Sequence, residues 1–373
     1  GNVVMQADGS YVYTPADDYN GPDSFTFRSY DGDLYSELAT VSVTVAAVND
    51  APSFVGGSDQ TVDEDSGVQT SAGWATGLSA GPADEAGQSL SFLVSNDNTA
   101  LFAVQPAIAS DGTLSYTPAA NANGSATVTV RLTDDGGTDR GGQNTSAPQT
   151  FQITLNAVND APSFVGGSDQ TVDEDSGVQT SAGWATGLSA GPADEAGQSL
   201  SFLVSNDNTA LFAVQPAIAS DGTLSYTPAA NANGSATVTV RVKDSGGTDR
   251  GGQDTSASQT FQITVHAVND APSFVAGSDQ TVDEDSGVQT SAGWATGLSA
   301  GPADEAGQSL SFLVSNDNTA LFAVQPAIAS DGTLSYTPAA NANGSATVTV
   351  RVKDSGGTDR GGQDTSASQT FQI

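Results

Sequence analysis

Three times, at a spacing of 110 residues, the chain writes Ala-Val-Asn-Asp-Ala-Pro-Ser-Phe, beginning at Ala47, Ala157 and Ala267. That interval fits one small domain. Residues 47–131 recur unchanged at 157–241, and the third copy departs early only at Ala276, where the second has Gly166. Such identity reads as recent duplication. The first 47 residues have diverged: Asp8-Gly9-Ser10-Tyr11-Val12-Tyr13-Thr14-Pro15 aligns with Asp111-Gly112-Thr113-Leu114-Ser115-Tyr116-Thr117-Pro118, and Asn20-Gly21 with Asn123-Gly124. The expected organisation is the back half of a divergent repeat at 1–47, full repeats at 48–157 and 158–267, and a repeat short of its last strand at 268–373. Both ends then fall inside a domain, as in a window cut from a longer polymeric protein.

Within one repeat the period is two. Ala126, Val128, Val130 and Leu132 alternate with polar residues, as do Phe151, Ile153 and Leu155, which places each set on one face of a strand. Residues 90–94, 101–104 and 113–117 read as further strands, with weaker ones near 54–62 and 68–75, separated by Asp-Gly, Asn-Gly and Gly-Gly turns. About seven short strands in a repeat of this length predict an all-β chain of tandem antiparallel immunoglobulin-like sandwiches. Trp74 is expected in the core, residues 81–86 as a loop, and residues 138–143, within the glycine-rich loop that begins at Gly136, as a solvated turn.

Charge and composition narrow the chemistry. Against 43 Asp and Glu stand 9 Lys and Arg, a formal net charge of −34. Nucleic-acid phosphates and anionic membrane surfaces both require the opposite balance. No run of 18 apolar residues occurs, so no helical membrane insertion is expected. Without cysteine there are no disulfides and no thiolate chemistry. The single histidine, His266, has no counterpart in the other copies, so a histidine-based triad would form at most once among near-duplicate domains. No enzyme is expected.

Divalent cations are compatible with this charge, and three acidic groups per repeat stand near strand ends: Asn49-Asp50 in the linker, Asp63-Glu64-Asp65, and Asp84-Glu85, joined by Asp134. Calcium takes six to eight oxygen ligands from such groups. Loops of a sandwich gather at its two poles, so the linker, Asp84 and Asp134 are expected at one pole and Glu64 at the other, beside the next linker. Crowded carboxylates repel unless a cation lies among them. Pro52 fixes its own φ and biases Ala51 toward extended backbone, which predicts a short, stiff joint.

The phrase Val48-Asn49-Asp50-Ala51-Pro52-Ser53-Phe54 resembles the calcium-binding linker of cadherins. It is more similar still to the cadherin-like tandem repeats of giant type I-secreted bacterial surface adhesins, which share the Asp-Glu-Asp cluster and the Tyr-Thr-Pro and Asn-Gly segments in this order. The resemblance implies metal ligands at Asn49, Asp50, Asn159, Asp160, Asn269 and Asp270 in the joints, and at Glu64, Glu174 and Glu284 near the first strand. It extends the set to Asp84, Glu85, Asp194, Glu195, Asp304 and Glu305, and to Asp134, Asp244 and Asp354 before the last hairpin. The Asp-Arg-Glu segment of cadherins has no equivalent, since residues 119–124 read Ala-Ala-Asn-Ala-Asn-Gly, so one or two calcium ions per joint are expected rather than three. The implied role is a calcium-rigidified spacer or stalk, built as an extended rod at the cell surface or outside the cell. Its partners would be calcium, neighbouring repeats and other copies of itself. A carbohydrate- or surface-binding module and a self-associating filament are the alternatives.

Overall fold

The computed structural model describes residues 1–373, and the chain forms two compact units. The first comprises Gly1–Asn159 with Pro192–Asp194 and Thr248–Gly252; the second comprises Asp160–Gly191, Glu195–Gly247 and Gln253–Ile373. The fold class expected from the alternation is the one observed: strands and short 3-10 turns, with no helix long and apolar enough to cross a membrane.

The first unit opens with two antiparallel hairpins, Asn2–Met5 with Tyr11–Thr14 and Gly21–Phe27 with Ala39–Val45. A complete sandwich follows. Its larger sheet runs in the order Gln60–Asp63, Gln149–Asn156, Gly124–Thr133, Ser91–Asn96, the first pair parallel and the others antiparallel. The smaller sheet joins Phe102–Ile108, Leu114–Pro118 and Gln69–Ser71, and Ser53–Val55 pairs separately with Thr76–Ser79. Of the two weak strands of the sequence, 54–62 divides between Ser53–Val55 and Gln60–Asp63, and 68–75 is met by Gln69–Ser71; Thr76–Ser79 is a further strand that the alternation does not announce. Pro106 sits in Phe102–Ile108 where the register slips between Val104 and Ala107, on a strand paired on one side only, a position that tolerates its missing N–H.

The alternating residues close the core. Val128, Val130, Leu132 and Ile153 are wholly inaccessible, and Ala126, Phe151 and Leu155 nearly so. Trp74 lies among them against Phe151, ring centroids 4.3 Å apart, and its Nε1 donates to Ser58 O at 3.0 Å, so the burial of its one polar atom carries no penalty. Residues 81–86 are not a plain loop, since Ala83–Glu85 forms a 3-10 turn.

The second unit holds two more sandwiches with equivalent cores around Trp184 and Trp294. They differ at one edge. Gln170–Asp173 pairs in parallel with the strand Gln259–His266, whereas in the third sandwich the partner strand ends at Gln372 and the segment 281–284 forms no strand.

Candidate functional site at the linkers

Each linker is seated by its own sandwich. Pro52 and Phe54 are both buried, and Phe54 meets Phe92 edge-on at 5.5 Å, so the chain leaves the linker already packed. The preceding residues are then held by polar contacts. Asn49 donates through Nδ2 to Asp134 Oδ1 at 2.9 Å and to Gln143 O at 2.8 Å, and its Oδ1 accepts from Gln88 Nε2 at 2.7 Å. Asp50 N donates to Glu85 Oε1 at 2.9 Å. The second unit repeats the arrangement: Asn269 donates to Asp354 and to Gln363 O, Gln308 donates to Asn269, and Asp270 N donates to Glu305 Oε1 at 2.7 Å. Asp160 N likewise meets Glu195 Oε1 at 2.8 Å, and Asp244, buried, accepts from Gly246 N. Asn159 is half-buried.

Of each Asp-Glu pair, it is the glutamate that turns inward. Glu85 is 7% exposed while Asp84 is exposed, because a 3-10 turn advances about 120° per residue and neighbouring side chains point apart. Asp84 instead accepts from Asn20 of the preceding hairpin pair, and Asp304 accepts from Asn233 at 3.0 Å. Asn123 bridges two acids, donating to Asp194 Oδ2 at 2.7 Å and to Glu64 Oε2 at 3.3 Å. Glu64 and Glu174 are buried, and their Oε1 atoms accept from the linker nitrogens of Val158 and Val268, both at 2.7 Å. Glu284 is exposed.

These contacts leave acceptors over. Glu85 Oε2, Asp134 Oδ2 and Gln88 Oε1 in the first unit, and Glu305 Oε2 and Gln308 Oε1 in the second, are buried without a hydrogen bond. Buried carboxylate oxygens without donors are costly. Burial, with Asp175 and Asp304 nearby, raises the pKa of Asp270. Burial also raises that of Glu305, helped by Asp270, Asp304 and Asp354 and opposed by the Asp270 N–H. A cavity of about 240 Å³ lies here, lined by Asn233, Asn269, Asp304, Glu305, Gln308 and Asp359 among others. No group of three or more His, Cys, Asp or Glu side chains closes into a ready-made metal cage. The donor set is all oxygen, part carboxylate and part amide, which fits a hard cation in chemistry.

The glycine-rich stretch is the solvent-exposed turn its composition suggests, and it also carries contacts. Asp139–Gly141 is a 3-10 turn whose arginine takes φ 56°, and the segment folds back onto the linker through Gln143 N and Asn49 O, 2.8 Å apart. A Cβ on Gly136 would overlap Asn49 Oδ1, so glycine is required there by close approach. In the later copies the arginine reaches an aspartate of the preceding sandwich: Arg250 lies 3.6 Å from Asp63 within the first unit, and Arg360 lies 2.8 Å from Asp173 within the second. Gln88, Asn20, Asn123 and these arginines escape a reading by acid clusters. The signal available was the survival of Asn20-Gly21 and Asn123-Gly124 across divergent copies, and the placing of three of nine basic residues in one loop.

Residues 1–46 match a family model described as a cadherin-like domain, and residues 49–154, 159–265 and 269–370 match one described as a bacterial Ig domain. No curated protein matches the sequence. Among solved structures, Drosophila N-cadherin EC1-4 is 15% identical with a TM-score of 0.36, covering 100% of this chain and 88% of that one. Mouse Protocadherin-24 EC1-3 is 16% identical with a TM-score of 0.41, covering 87% and 99%.

Proposed function

The chain belongs to the bacterial Ig domain family, and from that premise we propose that it is a non-enzymatic stalk segment of an extracellular bacterial adhesin, stiffened at its joints by calcium. The observation that carries this reading is the set of buried, donorless oxygens of Glu85, Asp134 and Gln88 beside the linker. With Asn49 and Asp84 they would hold the ion, and the corresponding residues Glu305, Gln308, Asn269, Asp354 and Asp304 would do so in the second unit. Calcium would supply the positive charge that the acids lack. The remaining steps belong to the protein. The proline seats the linker, the Glu85 carboxylate fixes Asp50 N, and Asn49 ties the linker to the last hairpin loop.

Ions that bind only the ordered joint stabilise it by RT ln(1 + [L]/Kd), about 2.7 kcal/mol per site at a hundredfold excess over Kd. The test is to follow melting temperature and scattering-derived length while calcium is added to, and EDTA removes it from, the full chain. A calcium-dependent rise in melting temperature with lengthening or stiffening supports the reading; no change in either quantity ends it.

A further inference from the structure

We propose that the Asn-Gly steps beside the joints are sites of spontaneous deamidation, and that the joint contact itself sets their rate. The chain contains four such steps, at Asn20, Asn123, Asn233 and Asn343, all at one repeat position. Both halves are imposed by the fold. The glycines Gly21, Gly124, Gly234 and Gly344 have φ of 115°, 124°, 129° and 135°, which a side chain rarely tolerates. The asparagine is demanded by the acids it joins: Asn123 holds Asp194 and Glu64, and Asn233 holds Asp304 and Glu174 at 3.0 and 3.4 Å.

In the reaction the glycine nitrogen attacks Cγ of asparagine. The N–Cγ bond forms, the Cγ–Nδ2 bond breaks, and Nδ2 leaves as ammonia with the glycine N–H proton. Water then opens the succinimide at either carbonyl, giving aspartate or isoaspartate. To react, the amide must first release both carboxylates, and in the first two sandwiches Gly124 and Gly234 begin the ladders of their strands. The product places a carboxylate between Glu64 and Asp194 where a donor had been. A joint that opens long enough to react therefore recloses against like-charge repulsion. None of this depends on the cation reading.

The experiment is to incubate the full chain in EDTA at mildly alkaline pH and map deamidation site by site. Asp194→Ala, at an exposed residue, should accelerate Asn123 at least about five-fold, the factor of a hydrogen bond worth ~1 kcal/mol, and leave Asn233 as it was, with Asp194→Asn falling between. Asp304→Ala should do the same at Asn233 and leave Asn123 as it was. An Asn123 rate unmoved by Asp194→Ala, an equal acceleration of both sites by either variant, or no deamidation at either site would each overturn the proposal.

Discussion

Replacing Glu85, Glu195 and Glu305 together by glutamine separates a cation site from an acid kept only for structure. Each Oε1 accepts a linker N–H, at 2.9, 2.8 and 2.7 Å, and a glutamine carbonyl preserves that bond. A neutral acceptor is weaker than a charged one by about 1 kcal/mol. Against this, at Glu305 the substitution removes a charge that burial and the nearby Asp270, Asp304 and Asp354 disfavour. The metal-free protein should therefore change by less than ~1 kcal/mol per joint. With calcium the balance differs. Losing one carboxylate should weaken binding about ten-fold, which at a hundredfold wild-type excess lowers the gain from about 2.7 to about 1.4 kcal/mol per site. For domains of this size about 1 kcal/mol moves the melting temperature by roughly 4 °C. The calcium-induced shift, read by scanning calorimetry in EDTA and in calcium, should thus fall from about 11 °C to about 6 °C. An undiminished shift in the triple variant would refute the assignment of these glutamates as ligands.

Three further outcomes follow from the same geometry. The raised pKa values of Asp270 and Glu305 mean that the native state holds protons more tightly than the unfolded chain; stability from these groups is therefore greater at low pH and is lost as pH rises from the ordinary values of 3.8 and 4.5 through the raised ones. In a metal-free denaturation series across that window the chain should gain stability on acidification relative to its Asp270→Asn/Glu305→Gln variant, a comparison that removes the opposite contribution of aspartates with lowered pKa such as Asp111 and Asp364, and calcium affinity should drop as pH falls. Gly136→Ala forces a methyl onto the pinned Asn49 and should cost about 1–3 kcal/mol in urea unfolding; a neutral result would show that the loop can yield. Arg360→Asp should cost about 0.2–1 kcal/mol at this half-exposed ion pair, less at high salt, and pairing it with Asp173→Arg should recover most of the loss in a double-mutant cycle.

Most strands could be read from alternation alone, because it is a local property: a residue's face on a strand follows from its neighbours two places away. Val128, Val130, Leu132, Phe151 and Ile153 are inward in the structure for that reason, and Trp74 joins them as the largest apolar side chain near a strand end. The proline joint was legible too, since the restriction proline places on the backbone is covalent. Which polar groups meet was settled by packing across the fold. The turn at Ala83–Glu85 chose Glu85 over Asp84 for the linker, Asn123 found partners 59 and 71 residues away, and Arg360 found one 187 residues away. Polar side chains are recruited by whatever donors and acceptors the packed sandwiches bring within reach, and that proximity is a property of the folded chain, with no periodicity to announce it.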